Sequence, residues 1–564
     1  MMLESLREKI KNAGLDAYVV SYANRFLGQD VLPSEHKLAA ICGFTGSAGA
    51  FALSKDKAFL IVDGRYELQA QEQVDTGKIN IENDSPRLKT LCDILLKENV
   101  ARIGYDSWNY SVAEMEFIKR KYRNFEFVDV GDWTALSDEK IVEICRREEK
   151  FSGQSTDEKI ALATAEINAK KADYLLICSA DSVSWLLNIY GRDLPYSPVI
   201  RTFALIDKTG KVTLFGDNLK SNDFEIKSWQ QFAEFMQKTA GKVILYDPHN
   251  TPEKFKNLLS AEALAVKSDD ICQDLKAKKN QTELNGMINC HIRDGVALCK
   301  LLCWLEENYH GKTELDVVEK LHELRSAQPL FFSESFATIA GFGTHGAIVH
   351  YQPSEQSNIA LSQNNLLLLD SGGQYFDGTT DVTRTIALGE PSAEMKRDFT
   401  YVLKAHIALA KAKFPLETSG YKLDTLARAP LWNIGIEYKH GTGHGVACFG
   451  NVHEGPHSIS LYGSMYGLKE NMVTSIEPGM YKENQYGIRI ENLAYTRKVA
   501  NQPDFLEFVP LTKVPLDKRL IDVNLLDKEE LEWVNSYHRG VYSCLAARLS
   551  EKEEAWLKDA CSPL

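Results

Sequence analysis

Three apolar segments in the first half of the chain return later in the same order, and no other feature narrows the fold as much. Leu15-Asp16-Ala17-Tyr18-Val19-Val20-Ser21 is answered by Ala172-Asp173-Tyr174-Leu175-Leu176-Ile177-Cys178. Phe51-Ala52-Leu53 is answered by Phe203-Ala204-Leu205, and Arg102-Ile103-Gly104-Tyr105-Asp106 by Val243-Ile244-Leu245-Tyr246-Asp247. Each is a strand-like run, and amphipathic helical stretches lie between them. The pattern predicts two copies of one α/β domain of about 150 residues each, an ordinary domain size. A chain of 564 residues has room for a third domain behind them. Boundaries are expected at 1–135, 136–273 and 274–564, with the charged stretch from Asp138 to Lys150 joining the copies.

The third domain announces itself by a cap. Lys276-Ala277-Lys278-Lys279 leads to Asn280, which forms a capping box with Glu283 ahead of apolar residues at helical spacing: Leu284, Met287, Ile288, Ile292, Val296, Cys299 and Cys303. Asp527 with Glu530 caps another amphipathic helix, whose stripe of Leu531, Val534, Val541, Leu545 and Leu549 must pack locally or against a partner.

Composition excludes several function classes. Lys+Arg 65 against Asp+Glu 78 leaves a net charge of −13, which repels a phosphate backbone or an anionic membrane, so no nucleic-acid or membrane partner is expected. Charges interrupt the first ten residues where a signal peptide needs an apolar run, and no apolar stretch is long enough to span a bilayer. The eleven cysteines sit mostly in apolar runs without zinc-knuckle spacing and read as reduced core residues of a cytoplasmic protein.

Neither N-terminal copy gathers His, Asp and Glu on strand-like segments, so the chemistry is placed in the third domain. There Leu366-Leu367-Leu368-Leu369-Asp370 turns through Gly372, Gly373, Asp377 and Gly378 into Thr379-Thr380-Asp381-Val382-Thr383-Arg384-Thr385-Ile386. An apolar strand ending in a carboxylate is costly without compensation, and this hairpin makes Asp370 and Asp381 face each other. Val473-Thr474-Ser475-Ile476-Glu477, stopped by Pro478-Gly479, and Tyr486-Gly487-Ile488-Arg489-Ile490-Glu491 repeat the device. Between them lies His440-Gly441-Thr442-Gly443-His444-Gly445, with no Lys-Ser/Thr following as a phosphate loop requires. Four carboxylates with an imidazole form a hard, oxygen-rich set suited to two divalent ions, Mn²⁺ before thiolate-type zinc. Asp377 is expected to be an exposed turn residue, and Arg384 and Arg489 to balance charge beside the acids. His345, His406, His457 and His538 are read as surface or packed histidines.

Five motifs carry a family resemblance: Asp370-Ser371-Gly372-Gly373-Gln374-Tyr375 with Asp377-Gly378-Thr379-Thr380-Asp381, His440 to Gly445, Asn451-Val452-His453-Glu454-Gly455, Ser475-Ile476-Glu477-Pro478-Gly479, and Gly487 to Asn492. They resemble the long, three-domain cytosolic aminopeptidase P family, the Xaa-Pro aminopeptidases. Asp63-Gly64-Arg65-Tyr66, Ser184-Trp185-Leu186-Leu187-Asn188 and His291-Ile292-Arg293-Asp294-Gly295 extend the likeness along nearly the whole chain. The stretch around Ile141 to Arg147 departs from it, lacking the family's tryptophan and Arg-Pro pair.

The resemblance implies an α/β (α+β) protein with two creatinase-like N-terminal domains followed by a pita-bread catalytic domain and C-terminal extension. It implies two divalent ions per subunit, usually Mn²⁺ with Zn²⁺ or Co²⁺ as alternatives. Asp370 would hold one ion, His444 and Glu477 the other, and Asp381 and Glu491 would bridge. A hydroxide between the ions would attack the Xaa-Pro bond of peptides with proline in second position. His350 and His453 would flank the substrate, with His444 beside it, and His440 would assist binding or proton transfer. Arg65 would reach a peptide, in the partner subunit of a homodimer. Prolidase, methionyl aminopeptidase and a non-catalytic pita-bread binding module are the rival readings. The duplicated N-terminal half disfavours the first two, and the five intact ligands disfavour the third.

Overall fold

The computed structural model describes residues 2–28, 31–85, 87–134 and 140–564; the expected first boundary and Asp138 lie outside the described residues. The chain divides into two compact bodies: Met1–Arg147 with Gln154–Leu194 and Val199–Cys272, and Glu148–Gly153 with Pro195–Pro198 and Gln273–Leu564.

The first body holds both copies of the repeated unit. Strands β1 (Ala17–Ser21), β2 (Ala50–Ser54), β3 (Ala58–Val62), β4 (Asn80–Asn83), β5 (Arg102–Tyr105) and β6 (Glu126–Asp129) form a sheet in the order β4-β3-β2-β1-β5-β6. Strands β7 (Tyr174–Ile177), β8 (Phe203–Asp207), β9 (Val212–Phe215), β10 (Glu225–Lys227), β11 (Val243–Tyr246) and β12 (Leu264–Lys267) repeat it as β10-β9-β8-β7-β11-β12. Every pairing has the same sense: β1–β2 and β7–β8 are antiparallel, β1–β5 and β7–β11 parallel. The three echoed segments fall on equivalent strands.

Their acidic residues are equivalent too. Asp16 accepts from the amides of Ala101 and Arg102 at the entry to β5, and Asp173 accepts from the Val243 amide at the entry to β11. An Asp side chain that caps a neighbouring strand is held charged. Hydrogen bonds from Lys55 and the Arg102 amide bring the Asp16 carboxyl down to about 2. After each parallel strand Asp106 and Asp247 turn the chain, accepting from the Trp108 and His249 amides.

The second body is built around the helix Gln281–Asn308, which carries the expected capping box: Asn280 Oδ1 accepts from the Glu283 amide, and Glu283 accepts from the Asn280 amide. Asp527 and Glu530 cap Lys528–Leu545 in the same way. That helix packs locally. Val534, Val541 and Leu545 enter one core with Val296, Phe399, Leu403 and Ile488.

Two hairpins stand in this body, each interrupted by a smaller one. Strands β13 (Asn365–Ser371) and β16 (Val382–Leu388) pair antiparallel, and between them β14 (Gly373–Tyr375) pairs with β15 (Gly378–Thr379). Further along, β17 (Gly443–Gly445) joins β18 (Val473–Ile476). β18 in turn pairs with β21 (Asn492–Val499), while β19 (Gly479–Lys482) and β20 (Tyr486–Arg489) form the inserted hairpin. Here the structure departs from expectation: the partner of 473–476 is 492–499, not 486–491. Pro478 and Gly479 end β18, and the next residues find each other first.

Candidate metal centre

The four acids occupy the places where each main ladder gives way to its inserted hairpin. Asp370 pairs with Thr383, so Asp381, two residues earlier on the same strand face, is its diagonal neighbour. In the other hairpin Ile476 pairs with Asn492, which puts Glu477 and Glu491 at the next step of the register. The hairpins dock through Thr383, whose carbonyl accepts from the Glu491 amide at 3.2 Å and whose hydroxyl donates to Glu491 Oε2 at 2.7 Å. Asp370, Asp381 and Glu491 are buried, Glu491 to 1% exposure, and Glu477 is half-buried.

His444 enters from β17. Its Nδ1 donates to the Gly445 carbonyl at 3.0 Å, which leaves the Nε2 lone pair facing Asp381 Oδ2 at 3.4 Å and Glu477 Oε1 at 3.5 Å. Among the described residues, Asp381, His444 and Glu491 bring one ligand atom each to within 4.8 Å of one another. The His453 ring stands edge-on to His444 with centroids 4.2 Å apart.

The electrostatics test whether cations fit. Burial, then the charges of Asp370 and Glu477, pushes the Asp381 carboxyl well above the usual range. Burial and the other three acids do the same to Glu491, and burial raises Glu477. Asp370 Oδ1 and Glu491 Oε1 are buried with no hydrogen-bond partner. Buried acids around one imidazole nitrogen, with two carboxylate oxygens of the cluster left orphaned, are what hard cations require, and the donor set fits them.

The arginines divide. Arg489 Nη2 donates to Asp370 Oδ2 at 2.7 Å and Nη1 to the Tyr481 hydroxyl at 2.7 Å; that hydroxyl meets His440 Nε2 at 2.8 Å. Tyr481 thus ties His440 to a site acid, and sequence reasoning missed it because nothing in Gly479-Met480-Tyr481 separates it from a packed aromatic. Thr383 was findable from its period-two spacing to Asp381. Arg384 touches no site carboxylate; it donates to the Glu491, Pro515 and Val514 carbonyls and orders the backbone behind the site.

Asp377 is not exposed: it is 8% accessible and ion-paired with Arg293 from the helix behind the turn. Arg65 lies in the first body, clasping Asp63 at 2.9 and 2.7 Å. His350 sits half-buried in the segment after the Gly343–Ala347 turn.

The histidines read as surface or packed residues have their own consequence. His406, His457 and His538 are buried, as is His291, and burial holds them neutral, at about 3 for His406 and about 4 for the others. Unfolded histidine takes its proton near 6.5, so as pH falls the unfolded state gains protons that the folded state refuses. Stability is expected to drop by about 2 kcal/mol per histidine at pH 5 relative to pH 7.5. Urea melts across that range check this, and a flat profile would contradict it.

Comparison with known proteins places the chain. Metallopeptidase family M24 matches residues 285–498, the creatinase/prolidase N-terminal domain matches 2–138 and again 137–283, and the C-terminal region of peptidase M24 matches 504–564. Aminopeptidase P2 of Arabidopsis thaliana is 35% identical, covering 98% of this chain and 86% of that protein. A probable Xaa-Pro aminopeptidase P of Laccaria bicolor is 36% identical, covering 100% and 93%. The crystal structure of X-prolyl aminopeptidase from Caenorhabditis elegans, described as a cytosolic enzyme with a di-nuclear active site, superposes with a TM-score of 0.92 at 31% identity, covering 100% of this chain and 98% of that one. A mixed α/β architecture with doubled creatinase-type domains before an M24 pita-bread domain is therefore the fold. Matched over its full length in sequence and in fold, the chain belongs to the Xaa-Pro aminopeptidase P family of M24 metallopeptidases.

Proposed function

We propose that this protein is a cytoplasmic, dinuclear metallo-aminopeptidase that releases the N-terminal residue from peptides whose second residue is proline, and that it works as a homodimer. The observation that carries the reading is the cluster of four acids and His444 with two buried oxygens left unpartnered. Asp370, Asp381, His444, Glu477 and Glu491 would hold the ions, with Asp381 and Glu491 shared. The oxygen-rich set favours Mn²⁺. Eleven cysteines without a disulfide suit a reducing compartment. The division into 1–135, 136–273 and 274–564 is the working domain plan.

When bound, the ions supply the Lewis acidity that activates water and steadies the developing oxyanion. The chain's own groups do the rest. His444 is locked in one tautomer by the Gly445 carbonyl. His440, whose Nε2 meets the Tyr481 hydroxyl, would assist binding or proton transfer to the leaving proline nitrogen. His350 and His453 flank the peptide, and Arg65 would reach a peptide in the partner subunit of the homodimer.

The purified enzyme loaded with Mn²⁺ is expected to cleave Ala-Pro-Ala at least about a hundredfold faster than Ala-Ala-Ala. A site shaped for the proline ring leaves an alanine N–H unpaired and the ring space unfilled, a loss of several kcal/mol. Equal rates would replace this reading with a general dinuclear aminopeptidase, and activity restricted to dipeptides would favour a prolidase.

A further inference from the structure

The segment from Phe342 to Ile359, which carries His350, closes on a single buried carboxylate. Glu314, the first residue of the helix Glu314–Ser326, is 0% exposed. Its Oε1 accepts from the Phe342 amide at 2.8 Å and His345 Nδ1 at 2.9 Å. Its Oε2 accepts from the Tyr351 hydroxyl at 2.9 Å and the Ile359 amide at 3.3 Å. A carboxylate offers about four lone-pair sites, and these donors, two at the ends of the segment and two within it, fill them. Among the described residues the basic side chain beside it is His345, with no lysine or arginine in reach. A buried anion satisfied by one segment's donors holds that segment in one conformation, since each donor withdrawn leaves an acceptor unpaired.

The same segment is held from its other side. Within it the His345 and Tyr351 rings pack at a tilt, centroids 4.3 Å apart. Gly346 is pressed against Gly487 of β20 so closely that a Cβ on Gly487 would collide with the Gly346 carbonyl. Two residues after Gly487 comes Arg489, which binds Asp370. His350 therefore stands between an anchor on Glu314 and a seat on the strand that braces the metal centre.

We propose that Glu314 is a positioning residue for His350: through Tyr351 and His345 it fixes the segment that presents His350 to the substrate. This rests on the substrate role proposed above for His350.

The test is a double-mutant cycle on the full-length Mn²⁺-loaded enzyme, reading kcat and KM on Ala-Pro-Ala beside metal content and Tm. Glu314→Gln is expected to lose about ten- to a hundredfold in kcat/KM, chiefly through KM, with both ions retained. In a His350→Ala background it is expected to cost nothing further, because the residue it positions is gone. Tyr351→Phe removes one donor and should give a smaller loss of the same kind, also abolished by His350→Ala; it carries the test if Glu314→Gln does not fold. Losses that add in full in the double variants overturn the proposal, because a general scaffold role predicts additivity. Loss of metal from Glu314→Gln overturns it as well, by placing the effect at the ligands. An unimpaired His350→Ala removes the basis for the proposal, whereas a wild-type enzyme inert on Ala-Pro-Ala would refute the parent reading instead.

Discussion

Asp381→Ala and Glu491→Ala are each expected to abolish hydrolysis and release both metal ions, the largest effect foreseen for any single substitution. Each carboxylate lies among the others at the mouth of the two hairpins, where, on the reading proposed above, it would be shared by two cations. Removing such a shared ligand would leave the ions' mutual repulsion uncompensated. Elemental analysis beside peptide assays reads both quantities, and two tightly bound metals in Glu491→Ala would end the assignment of that residue as shared. Asp377→Ala is the control. Because Asp377 is paired with Arg293 rather than exposed, its loss should cost about 2 kcal/mol of stability while activity per folded molecule is kept.

Chelation is expected to lower the melting temperature, and by more at pH 8 than at pH 6. Burial raises the carboxyls of Asp381, Glu477 and Glu491 in the metal-free protein. Folded groups that hold protons the unfolded chain has shed contribute stability below the unfolded pKa, near pH 4, and lose it as pH rises through the folded value. Bound cations would take the place of those protons, so a metal-loaded protein would escape the loss. At a thousand times its Kd each ion adds about 4 kcal/mol. Calorimetry with and without EDTA at the two pH values measures the difference; a pH-independent effect of chelator would mean that the acids are not repelling one another.

Local chemistry was legible in the sequence and distant pairing was not. The caps at Asn280 and Asp527 could be read because a capping box needs only residues three apart. The doubled sheet was visible because its central strands are short apolar runs whose order survives. The acids announced themselves by the cost of ending an apolar strand in a charge. Asp377 misled because a Gly-flanked aspartate in a turn is ordinarily solvated, and its partner Arg293 lies 84 residues away. The pairing of 473–476 with 492–499 was hidden for a related reason: β19 and β20 alternate as well as β21 does, and only their mutual pairing decides which strand returns to β18. Glu314 offered no signal, since a glutamate at a helix start is usually a surface residue favoured by the helix dipole.

The doubled sheet also bears on how the chain reaches its native state. While unfolded, a polypeptide carrying one pairing plan twice offers each strand two acceptable neighbours: β1 can seek β5 or β11, and β7 likewise. Interdomain mispairing of this kind is a recognised hazard of tandem relatives. The chain resists it by position and by charge. Asp16 is hydrogen-bonded to amides at the entry to its own β5, and Asp173 to the amide that opens β11. The outer strands β4, β6, β10 and β12 carry Glu82, Glu126, Glu225 with Lys227, and Lys267, charged side chains that discourage edge-to-edge joining of the copies. Growth from the N-terminus adds a temporal safeguard, because the first sheet can close before the second has been synthesised.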